Sequence, residues 1–522
     1  MKEKKEKQPQ TSSQNLKEQA LKEKSIMASL PDNLELIRQQ LGNSSDIVIR
    51  QVGLPGEIAW AVVYTDGLAD KQLVSEFILE SAMLHDRVKE ESKHDPASIS
   101  PQLLASNVLA IGETKEISNF GQLFTSLLSG ESVVLVDGHA AAITAGTRGW
   151  RDRGISETLT ETVVRGPKEA FTETLRTNTA MIRRKIKDPN LWLETRQIGR
   201  VTGTEVSVMF IKGIAEDKVV EEVRIRLERI DIDGILESGY IEELIQDETY
   251  TPFPTIYNSE RPDVVAAELL EGKIAILVDG TPMVLIVPAL FVSFLHSAED
   301  YYHRFDISTL IRILRYIGVF IALFGPSLYV AITTYHQEMI PTQLLYSLAA
   351  QREGIPFPAF IEAIMMEVAF EILREAGLRM PRSIGPAVSI VGTLVIGQAA
   401  VEAGIISAAM VIVVSTTAIA SFVFPSYSLA NTMRMLRFPL MGLAATFGLY
   451  GIIIGTFAIV LHVSSLRSFG VPYMGPFAPL IISDQKDAIF RMPHWAQVTR
   501  PKLMNRNNKR RQQKPASAKP KP

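Results

Sequence analysis

Apolar residues are spread unevenly along this chain. Up to about residue 281 they alternate with polar ones at strand and helix periods, and beyond it they gather in long blocks. The longest block, Val388–Phe424, is about 37 residues with one charge, Glu402, near its middle. A membrane-crossing helix needs roughly 20 apolar residues, so the block is long enough for two spans folded back at Glu402-Ala403-Gly404. Ile313–Tyr335 and Leu440–His462 add two more spans. Pro282–Leu295, which is short, and Pro358–Ala376, which carries Glu362, Glu367, Glu371 and Glu375, are weaker candidates for re-entrant or interfacial segments.

The first half predicts an α/β soluble region of two small subdomains. Asp46–Gln51 and Ile58–Thr65 read as strands around Gly53-Leu54-Pro55-Gly56, followed by a helix from Asp70 to Val88 and another over Phe120–Leu128. In SVVLVDGHAAAIT two β-rich runs flank Asp137-Gly138, a hairpin signal. The pattern returns in KIAILVDGTPMVLIVP around Asp279-Gly280, a structural echo short of a repeat. Between them a helix opened by Pro167 carries Phe171, Leu175, Ile182 and Ile186 on one face. Strands over Leu193–Val201 and Glu205–Ile211 follow, then a helix over Glu216–Ile230 whose stripe of Val219, Val223, Leu227 and Ile230 is core. Residues 29–250 are expected to form a water-soluble fragment.

Charge sharpens the division. Residues 1–28 form a tail of alternating Lys and Glu that buries nothing and has no apolar core, which predicts disorder and argues against a signal peptide. Every charge after Asp487 is basic, from Arg491 and Arg500 to Lys521; beside a last span such a tail meets anionic lipid on the cytoplasmic side before it meets nucleic acid. Cysteine is absent, which excludes disulfides, thiol catalysis and Cys-ligated zinc.

No phosphate-cradling glycine loop, two-histidine zinc helix or nucleophile elbow occurs, so no enzyme, cofactor or metal is expected. Asp231-Ile232-Asp233-Gly234 starts like a calcium loop but lacks the later ligands and reads as a turn; His139, alone after its hairpin turn, reads as solvated.

The informative polar residues lie in the apolar half. Glu367, Glu371 and Glu375 recur every four residues and form an acidic stripe opposite Ile361, Ile364, Met365, Val368 and Ile372. That face is expected to be wet, either at an interface with its acids in water beside Arg374, Arg379 or Arg382, or along a cation path. Gln398 and Glu402 share a helix face at hydrocarbon depth, where polar groups are costly unless they face protein or water. Gly448, Gly451 and Gly455 form a small-residue face suited to close helix packing. Pro326 is expected to break or kink the first strong span.

The blocks LIVPALFVSFL, FEILREAG and IVGTLVIGQAAVEAG make the chain resemble the A-subunit family of bacterial spore germinant receptors, from about Asp46 to Ser483. The resemblance implies a subunit of a three-component receptor in the spore inner membrane, beside a transporter-like B subunit and a lipoprotein C subunit. It also implies nutrient sensing that triggers germination, and homo-oligomers of A subunits forming a ligand-gated channel for monovalent cations. With it the organisation becomes a charged tail (1–28), α/β subdomains (29–150 and 151–281), an α-helical polytopic membrane domain of four to six segments (282–465) and a basic tail (466–522). Glu362, Glu367, Glu371, Gln398 and Glu402 are the pore or gating candidates. A non-conducting relay scaffold and a secondary transporter are the competing classes. An even number of strong spans puts the N-terminal domains and the C-terminal tail together in the cytoplasm, although Arg434 and Arg437 then fall outside.

Overall fold

The computed structural model describes residues 23–52, 59–75, 114–149, 158, 160–379, 397–504, 508 and 510–511. The expectations for residues 1–22, the Gly53–Gly56 turn, residues 76–88 and the arm 388–396 lie outside them. Two compact units result. One takes the chain to Gln246, then Ile256–Pro288, and again from Gln497; the other takes Asp247–Thr255 and Ala289–Ala496.

In the first unit the chain runs α1 (Leu30–Gln40), β1 (Ile47–Val52), β2 (Trp60–Thr65), β3 (Thr114–Ile117), α2 (Phe120–Leu127), β4 (Ser132–Val136) and β5 (Ala142–Ala145). It continues as α3 (Leu175–Lys185), β6 (Leu191–Ile198), β7 (Thr204–Ile211), α4 (Asp217–Glu228), α5 (Ser238–Ile245), β8 (Tyr257–Ser259), α6 (Pro262–Leu270), β9 (Ile274–Val278) and β10 (Val284–Val287). Both sheets are antiparallel and five-stranded, with orders β1-β2-β4-β5-β3 and β6-β7-β9-β10-β8. The second order is the first, strand for strand.

The echo between the two Asp-Gly hairpins therefore extends to whole subdomains. Asp137 accepts from the Leu30 N–H at 2.9 Å, and Asp279 from the Leu175 N–H at 3.0 Å, so each hairpin turn caps the first helix of its own subdomain. Asn33 clasps Met27, its Nδ2 donating to the carbonyl at 2.6 Å while its Oδ1 accepts from the N–H. Asn178 does the same to Thr172. Leu30, Asn33, Ile37 and Arg38 recur as Leu175, Asn178, Ile182 and Arg183, and few of their neighbours match, so periodicity alone missed the relation.

The cap moves the predicted helix start from Pro167 to Leu175. Phe171 is buried as expected, but in an extended strap with its N–H on the Glu260 carbonyl at 2.8 Å. On α4 the core stripe is Val220, Val223 and Leu227, with Val220 in the place expected for Val219. Pro282–Leu295 is no membrane segment, because Val284–Val287 is a strand paired with β8 and β9 and Phe291–Leu295 is a 3-10 turn. The 29–250 fragment accordingly lacks three of the five strands of the second sheet.

A buried ion pair joins the subdomains. Arg183 donates Nε to Asp46 at 2.6 Å and Nη2 at 2.9 Å, and both side chains are sealed from solvent. Loop 160–167 is strapped to β8 and α6 by the buried Arg261, which donates to the carbonyls of Glu161 at 3.0 Å and Pro167 at 2.9 Å.

The second unit is helical: α7 (Phe305–Thr334), α8 (Thr342–Arg352), α9 (Ala359–Arg379), α10 (Ala408–Ser421) and α11 (Tyr427–Ser465), followed by the ribbon β11 (Arg467–Ser468) and β12 (Val471–Pro472). Among the described residues, α7 and α11 are long and apolar enough to cross a membrane. Pro326 does not interrupt α7. The chain turns after Glu402, with Gly404 at φ 64°, as the apolar block predicts.

The last span is not one rod. Gly448 has φ 60° and ψ −141°, and the chain reverses there. Thr432 donates to the Pro252 carbonyl, while His462 bonds Thr251 at 2.8 Å. In a straight helix residues 432 and 462 would stand about 45 Å apart, so 427–447 and 449–465 are antiparallel arms. Nor is the region after 466 a loose basic tail. Arg491 is buried in the helical unit, and Arg500 is buried in the first unit with Nε on the Leu270 carbonyl at 2.8 Å. The N-terminal subdomains and the described end of the chain thus share one unit.

Two outcomes follow for the first unit. A fragment of residues 23–288 should unfold cooperatively in urea, monitored by circular dichroism, whereas one ending at 250 should not. Burial pushes the Glu161 carboxyl from 4.5 up to about 7, against the lowering hydrogen bond from Ser259 at 2.6 Å. A folded state that holds this proton longer than the unfolded chain loses stability as pH climbs between those two values. Glu161→Gln should flatten that fall in the urea midpoint of the 23–288 fragment between pH 5 and pH 8, leaving a residual slope from Glu242, which burial also raises to about 7.

Candidate functional site: a file of buried carboxylates

The polarity of the helical unit is inside out. On α7, Leu310, Leu314, Ile317 and Phe320 are exposed, while Ser308, Arg312, Arg315 and Ser327 are buried. On α9, Ile361, Val368 and Ile372 are exposed, while Glu362 and Glu367 are fully buried. The expected wet acidic stripe therefore divides: Glu367 is buried and Glu371 half-buried against arginines of α11, while Glu375 is exposed beside Arg379 of its own helix, as the interfacial alternative expects. The spacing could not show this, since it fixes only which residues share a face.

Glu362, in the first turn of α9, accepts from the Ser407 N–H at 3.0 Å and stands 3.5 Å from Arg352 of α8. Ser407 also caps α10, its Oγ accepting from the Met410 N–H at 3.3 Å, so this carboxylate sits at a helix N-terminus. Glu367 is bonded to Nη1 of Arg437, whose Nε donates to the Ala322 carbonyl at 2.8 Å. Glu371 pairs with Arg434 at 3.0 Å and Arg374 at 3.7 Å, and Glu375 with Arg379 at 2.7 Å near the end of the helix.

The Ala322 contact has a covalent cause. Proline at 326 has no N–H, so the carbonyl four residues earlier loses its helical donor. Arg437 supplies one. A single side chain thus ties α7, α9 and the first arm of α11, which explains why Pro326 leaves α7 unbroken. Glu367 Oε1, Glu371 Oε1 and Arg437 Nη2 remain buried without a hydrogen-bond partner among the described residues. Such groups are rare in native structures and suit contact with water or an ion.

Arg434 and Arg437 were legible as two cations three residues apart, and Glu367 and Glu371 as two anions four apart. What pairs them is antiparallel packing, which no local pattern encodes. Because both arginines are inside the unit, they do not count as external loop charges. The sequence reading also missed a second cluster at the start of α7. Arg312 and Arg315 donate to Asp300 Oδ2 at 3.0 and 2.6 Å, and Arg312 also to Asp487 at 2.9 Å. Burial opposes ionisation of Asp300, but the two guanidiniums outweigh it and hold its carboxyl below the usual range.

The other candidates are placed differently. Gln398 donates to Glu402 at 2.8 Å, and both are exposed, with no hydrogen bond to Glu362, Glu367 or Glu371 among the described residues. Gly448, Gly451 and Gly455 line the reversal. A Cβ on Gly451 would lie 2.2 Å from the Leu443 carbonyl oxygen, one on Gly455 2.6 Å from Leu440, and one on Gly448 2.7 Å from His336. Tyr335 Oη fixes the same turn by donating to the Ala445 carbonyl at 2.9 Å.

Arg437→Ala strands the Glu367 charge and the Ala322 carbonyl together. It should destabilise the detergent-solubilised chain by about 3–5 kcal/mol, the scale for breaking a buried pair from one side, and Glu367→Gln in the same chain should recover part of the loss. Thermal unfolding of the two single variants and the double variant checks this.

A family model described as Bacillus/Clostridium GerA spore germination protein matches residues 35–503. Spore germination protein KA of Bacillus subtilis (strain 168) is 52% identical over 491 residues, covering 94% of this chain and 89% of that protein. Uncharacterized membrane protein YfkQ of the same organism is 44% identical, covering 92% and 93%. Spore germination protein GerLA of Bacillus cereus is 40% identical, covering 92% and 96%. The crystal structure of the N-terminal domain of the A subunit of the Bacillus megaterium spore germinant receptor GerK3 is 48% identical in sequence, with a TM-score of 0.40, covering 51% of this chain and 97% of that one. The chain belongs to the Bacillus/Clostridium GerA family of spore germination proteins.

Proposed function

We propose that the chain is the A-type membrane subunit of a nutrient germinant receptor in the spore inner membrane. The helical unit spans the bilayer, and the α/β unit and the C-terminal tail lie in the cytoplasm. Copies of the chain, with a transporter-like B subunit and a lipoprotein C subunit, form a ligand-gated path for monovalent cations. Family membership supports the germination role, and the exposed apolar faces of α7 and α9 support contact with lipid. The observation that carries the ion path is the file of buried Glu362 and Glu367 and half-buried Glu371, with oxygens lacking donors.

In this reading the paired file is the locked state. Arg352 and Arg437 give Glu362 and Glu367 one cation each, and Glu371 has both Arg434 and Arg374, so no net negative field attracts a cation. Opening then requires the arm bearing Arg434 and Arg437 to move off α9. The same pairing favours a second reading, a non-conducting scaffold in which the ion pairs fix helix packing and relay a signal. A secondary transporter has less support, because the internal repetition lies in the α/β unit and transporters place theirs in the membrane.

Single-channel recording from reconstituted A, B and C subunits separates these readings. Glu367→Gln and Glu371→Gln should lower unitary cation conductance at matched protein levels, since each removes part of the attractive field once the arginines have moved. Glu402→Gln should leave conductance unchanged and shift assembly or activation threshold, because Glu402 stands outside the file. Unaltered conductance and selectivity in both file variants, with normal assembly, would hand the role to the scaffold.

A further inference from the structure

After α11 the chain folds back on the start of α7. The Tyr473 carbonyl accepts from the Phe291 N–H at 2.9 Å, and its ring meets Phe291 edge-on. Phe477 lies edge-on to Tyr316, with ring centroids 6.4 Å apart. Asp487 accepts from Arg312 at 2.9 Å, the Ala488 carbonyl accepts from Tyr316 Oη at 3.3 Å, and the Arg491 N–H donates to Thr309 Oγ1 at 3.2 Å. The last four of these ties reach α7 between Thr309 and Tyr316.

These ties fix the level of the returning segment. The 30 residues of α7 measure about 45 Å, the thickness of a bilayer with its headgroups, whereas the hydrocarbon alone takes about 30 Å. The first turns of α7 therefore stand among headgroups, and Tyr316, about 17 Å along the helix, is inside the acyl layer. Helical side chains lean toward the N-terminus, so the Tyr316 hydroxyl rises toward the boundary between the two layers and meets Ala488 there. At this level Leu480, Ile482, Phe490 and Trp495 are exposed, Ile482 to 80%. Water is a costly medium for four large apolar side chains within sixteen residues, and α7 exposes Leu310, Leu314 and Ile317 beside them for contact with lipid. The charges among the four cancel, Asp484 and Asp487 against Lys486 and Arg491, so the segment has no electrostatic preference for an anionic partner.

We propose that residues 476–495 are an interfacial anchor beside the head of α7, which inserts Leu480, Ile482, Phe490 and Trp495 into the headgroup–acyl boundary of the bilayer. Its partner is a lipid surface, and neutral lipid suffices. An aromatic and aliphatic segment with balanced charge has the composition of that boundary. Composition assigned these residues to a basic tail in water; the tertiary ties to Thr309, Arg312 and Tyr316 bring them to the membrane instead. Through Asp487 and Arg312 the anchor also holds the buried charges around Asp300 at the start of the span. The inference rests on the reading that the helical unit spans the bilayer, and it requires neither conduction nor association of copies.

The full chain contains no cysteine, so Ile482→Cys and Phe490→Cys each carry a single nitroxide label, at exposed positions that the fold does not need. Leu314→Cys on α7 is the lipid reference and Glu228→Cys on α4 the water reference, both also exposed. In phosphatidylcholine vesicles holding the full chain, access of oxygen, which partitions into lipid, is compared with access of a water-soluble nickel complex. The oxygen-to-nickel ratio at 482 and 490 should rise several-fold above that at Glu228, stay below that at Leu314, and not change when phosphatidylglycerol is added. A water-like ratio at both positions, with Leu314 in lipid, overturns the anchor and leaves the spanning helix standing. Exclusion of both reagents marks a contact with protein, a second copy included, and overturns it as well. Entry into lipid only with phosphatidylglycerol present overturns it in favour of the basic residues that follow. A water-like ratio at Leu314 removes the spanning reading and the anchor together.

Discussion

The helical unit depends on what Arg437 does with its guanidinium. A proline in α7 strips the Ala322 carbonyl of its helical donor, and Glu367 brings a carboxylate into the same interior. Each alone is a costly buried polar group, and one arginine answers both. The cost of burial is thereby turned into a constraint on geometry, because only one placement of α7, α9 and the first arm of α11 lets the fork reach both acceptors. The neighbouring pairs, Glu371 with Arg434 and Glu362 with Ser407 and Arg352, extend the same logic along α9.

In the proposed function this arrangement is also the means of change. Ion pairs in a low-dielectric interior are strong when formed and expensive when broken, so a helix carrying two of them behaves as a two-position element. The Gly448 reversal places both arginines on an arm joined to the rest of α11 by one residue with left-handed backbone. The small faces of Gly451 and Gly455 let the second arm lie close against the first. In the proposed function, an input that moves this arm would uncover Glu367 and Glu371 together, while Glu362 keeps Arg352 of α8.

The α/β unit is built by a different economy. Two Asp-Gly turns close hairpins and cap helices, two asparagines clasp the chain ahead of those helices, and one buried pair, Arg183 with Asp46, joins the halves. The same parts serve twice, which is why the sheets share one strand order.

Local chemistry was readable from the sequence alone: the hairpins at Asp137-Gly138 and Asp279-Gly280, the turn after Glu402, the strands β1, β2, β4, β5, β6, β7 and β9 to within a few residues, the long apolar helices, and the family, whereas the short strands β3 and β8 carried no signal. Each rests on residues close together in the chain, where turn preference and periodicity act. The fate of the acids on α9 was not readable, because periodicity fixes which residues share a helix face and leaves open whether water, lipid or an arginine lies opposite. The start of α3 at Leu175 depends on Asp279, more than a hundred residues away. The strand at Val284–Val287 looked like a membrane segment because a strand buried on both faces and a short apolar span have the same composition. Tertiary structure decided these points, since each is settled by a partner that the chain brings close only when folded.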